Sequence, residues 1–143
     1  SVSGDILLPS STTTTGSDLA IASALLLDNV ALGGDIIIIR RKVYKYDPIF
    51  LAYFITQTMK KEITERTQGT TIHHLYGKDL NNLYLRLPSL NEQIAISKIL
   101  VDMENEIFTL EKRLNKTKAL KQAMMWELLT GKTRLVNKEL INA

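Results

Sequence analysis

Between Ile96 and Leu128 the chain carries an apolar stripe that only a long helix can present. Stepping alternately by four and three from Ile96 reaches Leu100, Met103, Ile107, Leu110, Leu114, Thr117, Lys121, Met124 and Leu128, and eight of these ten positions are apolar. This is the a/d seam of a coiled coil, sustained over more than four heptads. So narrow a stripe on so long a helix needs a partner helix to cover it. The start is marked by Ser89-Leu90-Asn91-Glu92, a capping box in which the Ser89 hydroxyl and the Glu92 carboxylate satisfy each other's backbone amides. No Gly or Pro interrupts the run until Gly131, which supplies the left-handed position that closes helices. The predicted element covers residues 89–131, and about 40 residues make a rod of roughly 60 Å. Thr117 and Lys121 place polar groups in the seam, where they fix register at some cost in stability.

Charge is segregated along this helix. Residues 92–110 set Lys98 against Glu92, Asp102, Glu104 and Glu106. Residues 111–134 set Lys112, Arg113, Lys116, Lys118, Lys121, Lys132 and Arg134 against Glu111 and Glu127. A parallel partner of like sequence would stack like charges; an antiparallel one pairs acid with base. The helix macrodipole favours the same order within a single helix and accounts for part of it. Antiparallel pairing is the expectation.

The remaining residues belong to a different kind of structure. Gly4-Asp5 followed by Ile6-Leu7-Leu8 predicts a short strand after a turn, and residues 10–16, all Ser, Thr and a final Gly, a polar loop. Ile36-Ile37-Ile38-Ile39, after the turn Gly33-Gly34-Asp35, predicts a strand buried on both faces. Asp47-Pro48 reads as N-cap and first residue of a helix carrying Phe50, Leu51, Phe54, Ile55 and Met59 and ending before Gly69. Leu83-Tyr84-Leu85-Arg86-Leu87 alternates as a further strand. The chain thus divides into residues 1–88, a mixed β-rich domain; 89–131, the long helix; and 132–143, a tail.

At 143 residues, 45% apolar and 23% charged, the composition is that of an ordinary globular chain. No apolar span is long enough to cross a membrane, and residues 1–9 lack the features of a signal peptide. The absence of cysteine excludes disulfides and thiolate metal sites and fits a reducing compartment. Catalytic chemistry finds no support. Gly131-Lys132-Thr133 suggests the end of a phosphate-binding loop, but the position five before Gly131 is Trp126 and the preceding pattern is helical. His73-His74 lack the acidic or Cys neighbours of a metal site. Asp5, Asp18, Asp28, Asp35 and Asp47 each sit at a turn or helix start, where Asp is expected anyway.

A binding surface is better supported. Arg40, Arg41, Lys42 and Lys45 interleave with Tyr44 and Tyr46; Lys60, Lys61 and Arg66 follow; then come Gln68-Gly69-Thr70-Thr71, His73, His74 and Lys78. Long cations suit phosphate positioning, and hydroxyl and amide groups on loops suit base-edge reading. A solvated polar face remains the alternative, since most Lys and Arg are simply exposed.

Gly69-Thr70-Thr71, Leu75, Asp79-Leu80 and Leu87-Pro88-Ser89-Leu90-Asn91-Glu92-Gln93 together resemble the end of a target-recognition domain in the specificity (S) subunit of type I restriction-modification systems. The helix that follows, with Ala119-Leu120-Lys121-Gln122 and Leu128-Leu129-Thr130-Gly131-Lys132, resembles the spacer helix of that family. Gly4-Asp5-Ile6-Leu7 and Gly34-Asp35-Ile36-Ile37-Ile38-Ile39-Arg40 are similar to strands of its recognition domain. The resemblance implies an α+β fold, a target-recognition domain followed by a helix pairing as an antiparallel coiled coil. The domain is expected to lack its first part.

The resemblance also implies a division of labour. Two recognition domains each read one half of a split double-stranded DNA target, and paired spacer helices fix the gap. The subunit is not itself an enzyme. It holds methyltransferase (modification) subunits, which use S-adenosylmethionine, and the complex recruits restriction subunits that use ATP; no cofactor is expected on this chain. The implied location is the bacterial or archaeal cytoplasm. With one domain and one helix, the chain is expected to pair through Ile96, Leu100, Met103, Ile107, Leu110, Leu114, Met124 and Leu128 with a second copy or with the other half of a full subunit. Expected DNA contacts are Thr12, Thr13, Thr14, Arg40, Lys42, Thr70, Thr71, His73 and Lys78. The competing reading is a structural coiled-coil oligomerisation module without DNA binding.

Overall fold

In the computed structural model, which describes residues 1–136, strand β1 (Ile6–Pro9) is the centre of a three-stranded antiparallel sheet. β3 (Ser23–Ala24) pairs on one side and β4 (Ile36–Ile39) on the other, with Ile6 opposite both Ala24 and Ile39 and Pro9 opposite Ile36. Alternation on β1 sends Ile6 and Leu8 into the core, where they meet Leu19, Ala20, Leu51, Ile55, Met59, Ile63 and Leu75. Leu51 and Ile55 come from α1 (Pro48–Thr58), Ile63 from α2 (Lys60–Thr64) and Met59 from the joint between them, while Leu19 and Ala20 come from a 3-10 turn over Gly16–Ala20. Asp47 and Pro48 start α1 as expected: the Asp47 carboxylate accepts the Phe50 amide at 2.8 Å.

Several sequence expectations are corrected. The helix from Pro48 breaks at Met59, whose amide is shared between the carbonyls of Phe54 and Ile55 at 3.4 and 3.2 Å. No Gly or Pro marks the break. β4 is not buried on both faces. It is an edge strand, Ile38 is 43% exposed, and its inner side borders an apolar cleft of about 360 Å³ lined by Ile37, Ile39, Ile55, Met59, Leu80 and Leu83 among others. Residues 83–87 form no ladder among the described residues; Leu83 and Leu87 pack against the core, so the alternation reports one-sided burial without strand pairing. The polar run 10–16 is not all loop, because Ser11–Thr12 (β2) pairs antiparallel with His73–His74 (β5).

The long helix α3 spans Leu90–Leu129, 40 residues. Ser89 caps it, its hydroxyl accepting the Glu92 amide at 3.4 Å. Gly131 takes φ +69°, while Lys132 and Thr133 fold back on the Glu127 carboxylate at 2.7 and 2.9 Å and the Lys132 ammonium lies 5.0 Å from the Trp126 ring centre. Gly131-Lys132-Thr133 is thus a helix ending. Two compact units result, Ser1–Ile99 and the residues from Leu100 onward. The first turns of α3 belong to the first unit because Gln93 and Ser97 are buried there. The Gln93 side chain accepts the Asp47 amide at 3.0 Å and donates to the Pro88 carbonyl at 2.9 Å, and the Ser97 hydroxyl bonds the Asp47 carboxylate. From Asp102 to Trp126 every residue is exposed, including Met103, Ile107, Leu110, Leu114 and Met124 of the seam; Ile96, Leu100 and Leu128 are half-buried. The tail from Asn137 lies outside the described residues.

Candidate nucleic-acid interface

The β2–β5 ribbon gathers much of the expected contact set. Thr12 stands opposite His73 and Ser11 opposite His74. A tight loop leads into β5, closed by the reciprocal bonds Gln68 amide to His74 carbonyl, 2.9 Å, and His74 amide to Gln68 carbonyl, 2.7 Å. Gly69 makes it possible: its φ is +108°, and a Cβ there would lie 1.9 Å from the Ile72 carbonyl oxygen. Thr70 and Thr71 are exposed at the tip, and their hydroxyls have no partner among the described residues.

On the β2 side the threonines divide. The Thr12 and Thr14 hydroxyls bond each other at 2.8 Å, and Thr14 also bonds the Asp18 carboxylate, which accepts the Thr15 hydroxyl at 2.9 Å and amide at 3.1 Å. These hydroxyls, with a smaller contribution from the charge of Lys60, hold the Asp18 carboxyl below its ordinary value. Thr12 and Thr14 therefore shape the turn, and Thr13 is left exposed beside it. Because the folded-state value is depressed, the turn's stabilisation is present above the ordinary carboxylate range and is lost as pH falls through the lowered value. Asp18→Asn should make the 12–18 turn mobile at neutral pH, visible as broadened Thr13–Thr15 amide resonances with the rest of the spectrum unchanged. The turn sits on the hairpin base, since a Cβ at Gly16 would meet the Thr67 hydroxyl at 2.5 Å and the His73 Nδ1 at 3.6 Å.

Beyond β5, His74, Tyr76 and Lys78 form a stack: the two rings are 6.1 Å apart at 14°, and the Lys78 ammonium is 5.4 Å from the Tyr76 centre. Lys78 is thereby joined to the ribbon. Arg66 braces the segment from beneath, bonding the Asp79 carbonyl at 2.9 Å and Glu62 at 2.8 Å.

Arg40 and Lys42 lie elsewhere. The β1–β4 register places Arg40 beside Asp5, at the opposite end of β1 from the ribbon. The Arg40 guanidinium grips both Asp5 oxygens at 2.7 Å each. Asp5 is 1% exposed, and its carboxyl is held down to about 2, first by the Arg40 bonds against the opposing effect of burial, then by the Val2 amide. Arg40 thus locks the sheet end and leaves Lys42 exposed nearby. The depressed value sets the sign: this stabilisation is complete above about pH 4 and disappears as pH falls towards 2. Arg40→Ala should cost about 2 kcal/mol in denaturant unfolding at pH 7, less than the loss of a fully buried pair because the guanidinium is half exposed. At pH 2 most of that difference should vanish.

The family model for the type I restriction modification DNA specificity domain matches residues 3–121. This chain belongs to that family. The specificity domain is 34% identical over 84 residues to the specificity subunit of the type I restriction enzyme MjaVIII of Methanocaldococcus jannaschii, an alignment covering 59% of this chain and 20% of that protein. It is 29% identical over 100 residues to a specificity subunit assigned to the type I enzyme MjaX of the same organism, covering 68% and 24%. The specificity domain therefore spans about a fifth to a quarter of these curated relatives. No solved structure matches it. No helix among the described residues is long and apolar enough to cross a membrane.

Of the nine expected contact residues, seven gather on or beside the ribbon of the specificity domain, and Arg40 and Lys42 stand apart. Tyr76 was missed. The i, i+2 spacing of His74 and Tyr76 is the signal that could have found it, because extended backbone places both rings on one face; Lys78 lies in the 3-10 turn Gly77–Leu80 and meets Tyr76 only through the fold. In sequence Lys60 is a helix cation, and its proximity to the Thr14–Asp18 turn is created only by the fold.

Proposed function

We propose that the chain reads one half of a bipartite double-stranded DNA target as the recognition part of a type I specificity subunit. The observation that carries this reading is the ribbon tip: unpartnered Thr70 and Thr71 hydroxyls on a loop locked by Gly69, with Thr13, His73 and Lys78 beside them. Hydroxyls and an imidazole on a two-stranded ribbon suit base edges in a major groove, and Lys78 suits an adjacent phosphate. Thr12 and Thr14 support the ribbon, and Arg40 fixes the sheet that carries Lys42 to the phosphate backbone.

The chain performs no chemistry in this reading. S-adenosylmethionine and ATP are bound by the methyltransferase and restriction subunits it helps to assemble, and the work is done in the cytoplasm. The exposed α3 seam pairs antiparallel with the same helix of a second copy or with the other half of a full subunit, supported by its acidic first half and basic second half. Titrating duplex DNA at several salt concentrations tests the DNA reading: log K should fall linearly with log salt, by about 0.9 for each phosphate neutralised. Absence of binding at low salt would leave only the oligomerisation role.

A further inference from the structure

The loop between β4 and α1 is pinned at both ends and open between them. At its start Arg40 is held by Asp5; at its end the Tyr46 hydroxyl donates to the Gly4 carbonyl at 3.2 Å, and Asp47 caps α1. Residues 41–45 are all exposed, Val43 by 83% and Tyr44 by 86%. Arg41, Lys42 and Lys45 have no acidic side chain bonded to them among the described residues. Three uncompensated cations around an outward aromatic and a valine, on a loop whose feet are fixed, are an arrangement for a polyanion with flat apolar surfaces. Duplex DNA offers both, in its phosphates and in the sugar walls of its grooves.

We propose that residues 41–45 are a second, sequence-independent DNA contact: Arg41, Lys42 and Lys45 hold phosphates and Tyr44 packs against the wall of a groove. This rests on the DNA reading above and separates its labour. The ribbon lies at one end of β1 and this loop at the other, and four strand residues span about 13 Å. That separation fits within one turn of a single B-form duplex, about 34 Å. The loop anchors; the ribbon reads.

The test uses the full chain with duplex DNA of random sequence, over a salt series, in three forms: wild type, the triple variant Arg41→Ala/Lys42→Ala/Lys45→Ala, and Tyr44→Ala. All four side chains are exposed and the pinning contacts are untouched, so the melting temperature should not move. The triple variant should lower the slope of log K against log salt by about 2 to 3. Tyr44→Ala should weaken binding about tenfold, the effect of losing a contact of about 1.4 kcal/mol, equally for every sequence. If wild type binds with a steep slope and both variants match it, this proposal fails while the DNA reading stands; if wild type does not bind, that reading fails first. Loss of binding to phosphatidylserine vesicles in the triple variant, with an unchanged DNA slope, would reassign the loop to an anionic membrane and overturn the proposal.

Discussion

Replacing Gly69 with alanine is expected to cost the recognition unit about 3 kcal/mol and to remove most of its DNA affinity. Two effects add. A φ of +108° lies where residues with a Cβ are strained by about 1–3 kcal/mol, and the new Cβ would sit 1.9 Å from a backbone oxygen, which cannot swing aside like a flexible side chain. Relief requires opening the loop, which breaks the reciprocal Gln68–His74 bonds and frees the pairing of β5 with β2. For a unit of this size the melting temperature should fall by about 10–20 °C. Unchanged melting together with unchanged Thr70 and Thr71 amide resonances would contradict the loop geometry.

Substituting Leu110 and Leu114 with lysine should dissociate any self-paired form. Both are about half exposed in the single chain, so the recognition unit should melt as before. In a symmetric pair each substitution counts twice, so four leucines are lost at about 2 kcal/mol each, about 8 kcal/mol in all, on the order of 10⁵-fold or more in dissociation constant. Sedimentation at micromolar concentration should give a dimer for wild type and a monomer for the variant. A wild-type monomer at every concentration would exclude the second copy as the partner and leave the other half of a full subunit.

What could be read from the residues follows from the range of the forces involved. The start of α1 and both ends of α3 were legible because caps are local: Asp47-Pro48, Ser89 and Gly131 act through bonds within one or two turns. The length of α3 was legible because helical periodicity is a property of the sequence itself. The ribbon was not, since Ser11 and Thr12 become a strand only when a segment some sixty residues later arrives beside them. Arg40 carried the opposite lesson. In sequence it is one cation in a basic run, whereas its bidentate hold on Asp5, 35 residues away, gives it a structural task. The Ile36–Ile39 run predicted burial on both faces because β-branched density reports strand propensity, and it cannot report whether a second neighbour strand is present. Gln93 belongs to the motif that marked the junction, yet its two hydrogen bonds, from the Asp47 amide and to the Pro88 carbonyl, needed the folded joint to become visible.

The most direct test of DNA reading by the ribbon is selection from a pool of randomised duplexes by the full chain, wild type against Thr70→Ala/Thr71→Ala. The wild-type chain should enrich a short defined motif, and the double variant should bind with nearly the same salt slope but enrich a changed or degenerate motif. Failure of the wild type to enrich any sequence, or an identical motif from both chains, would contradict the assignment of sequence reading to this ribbon.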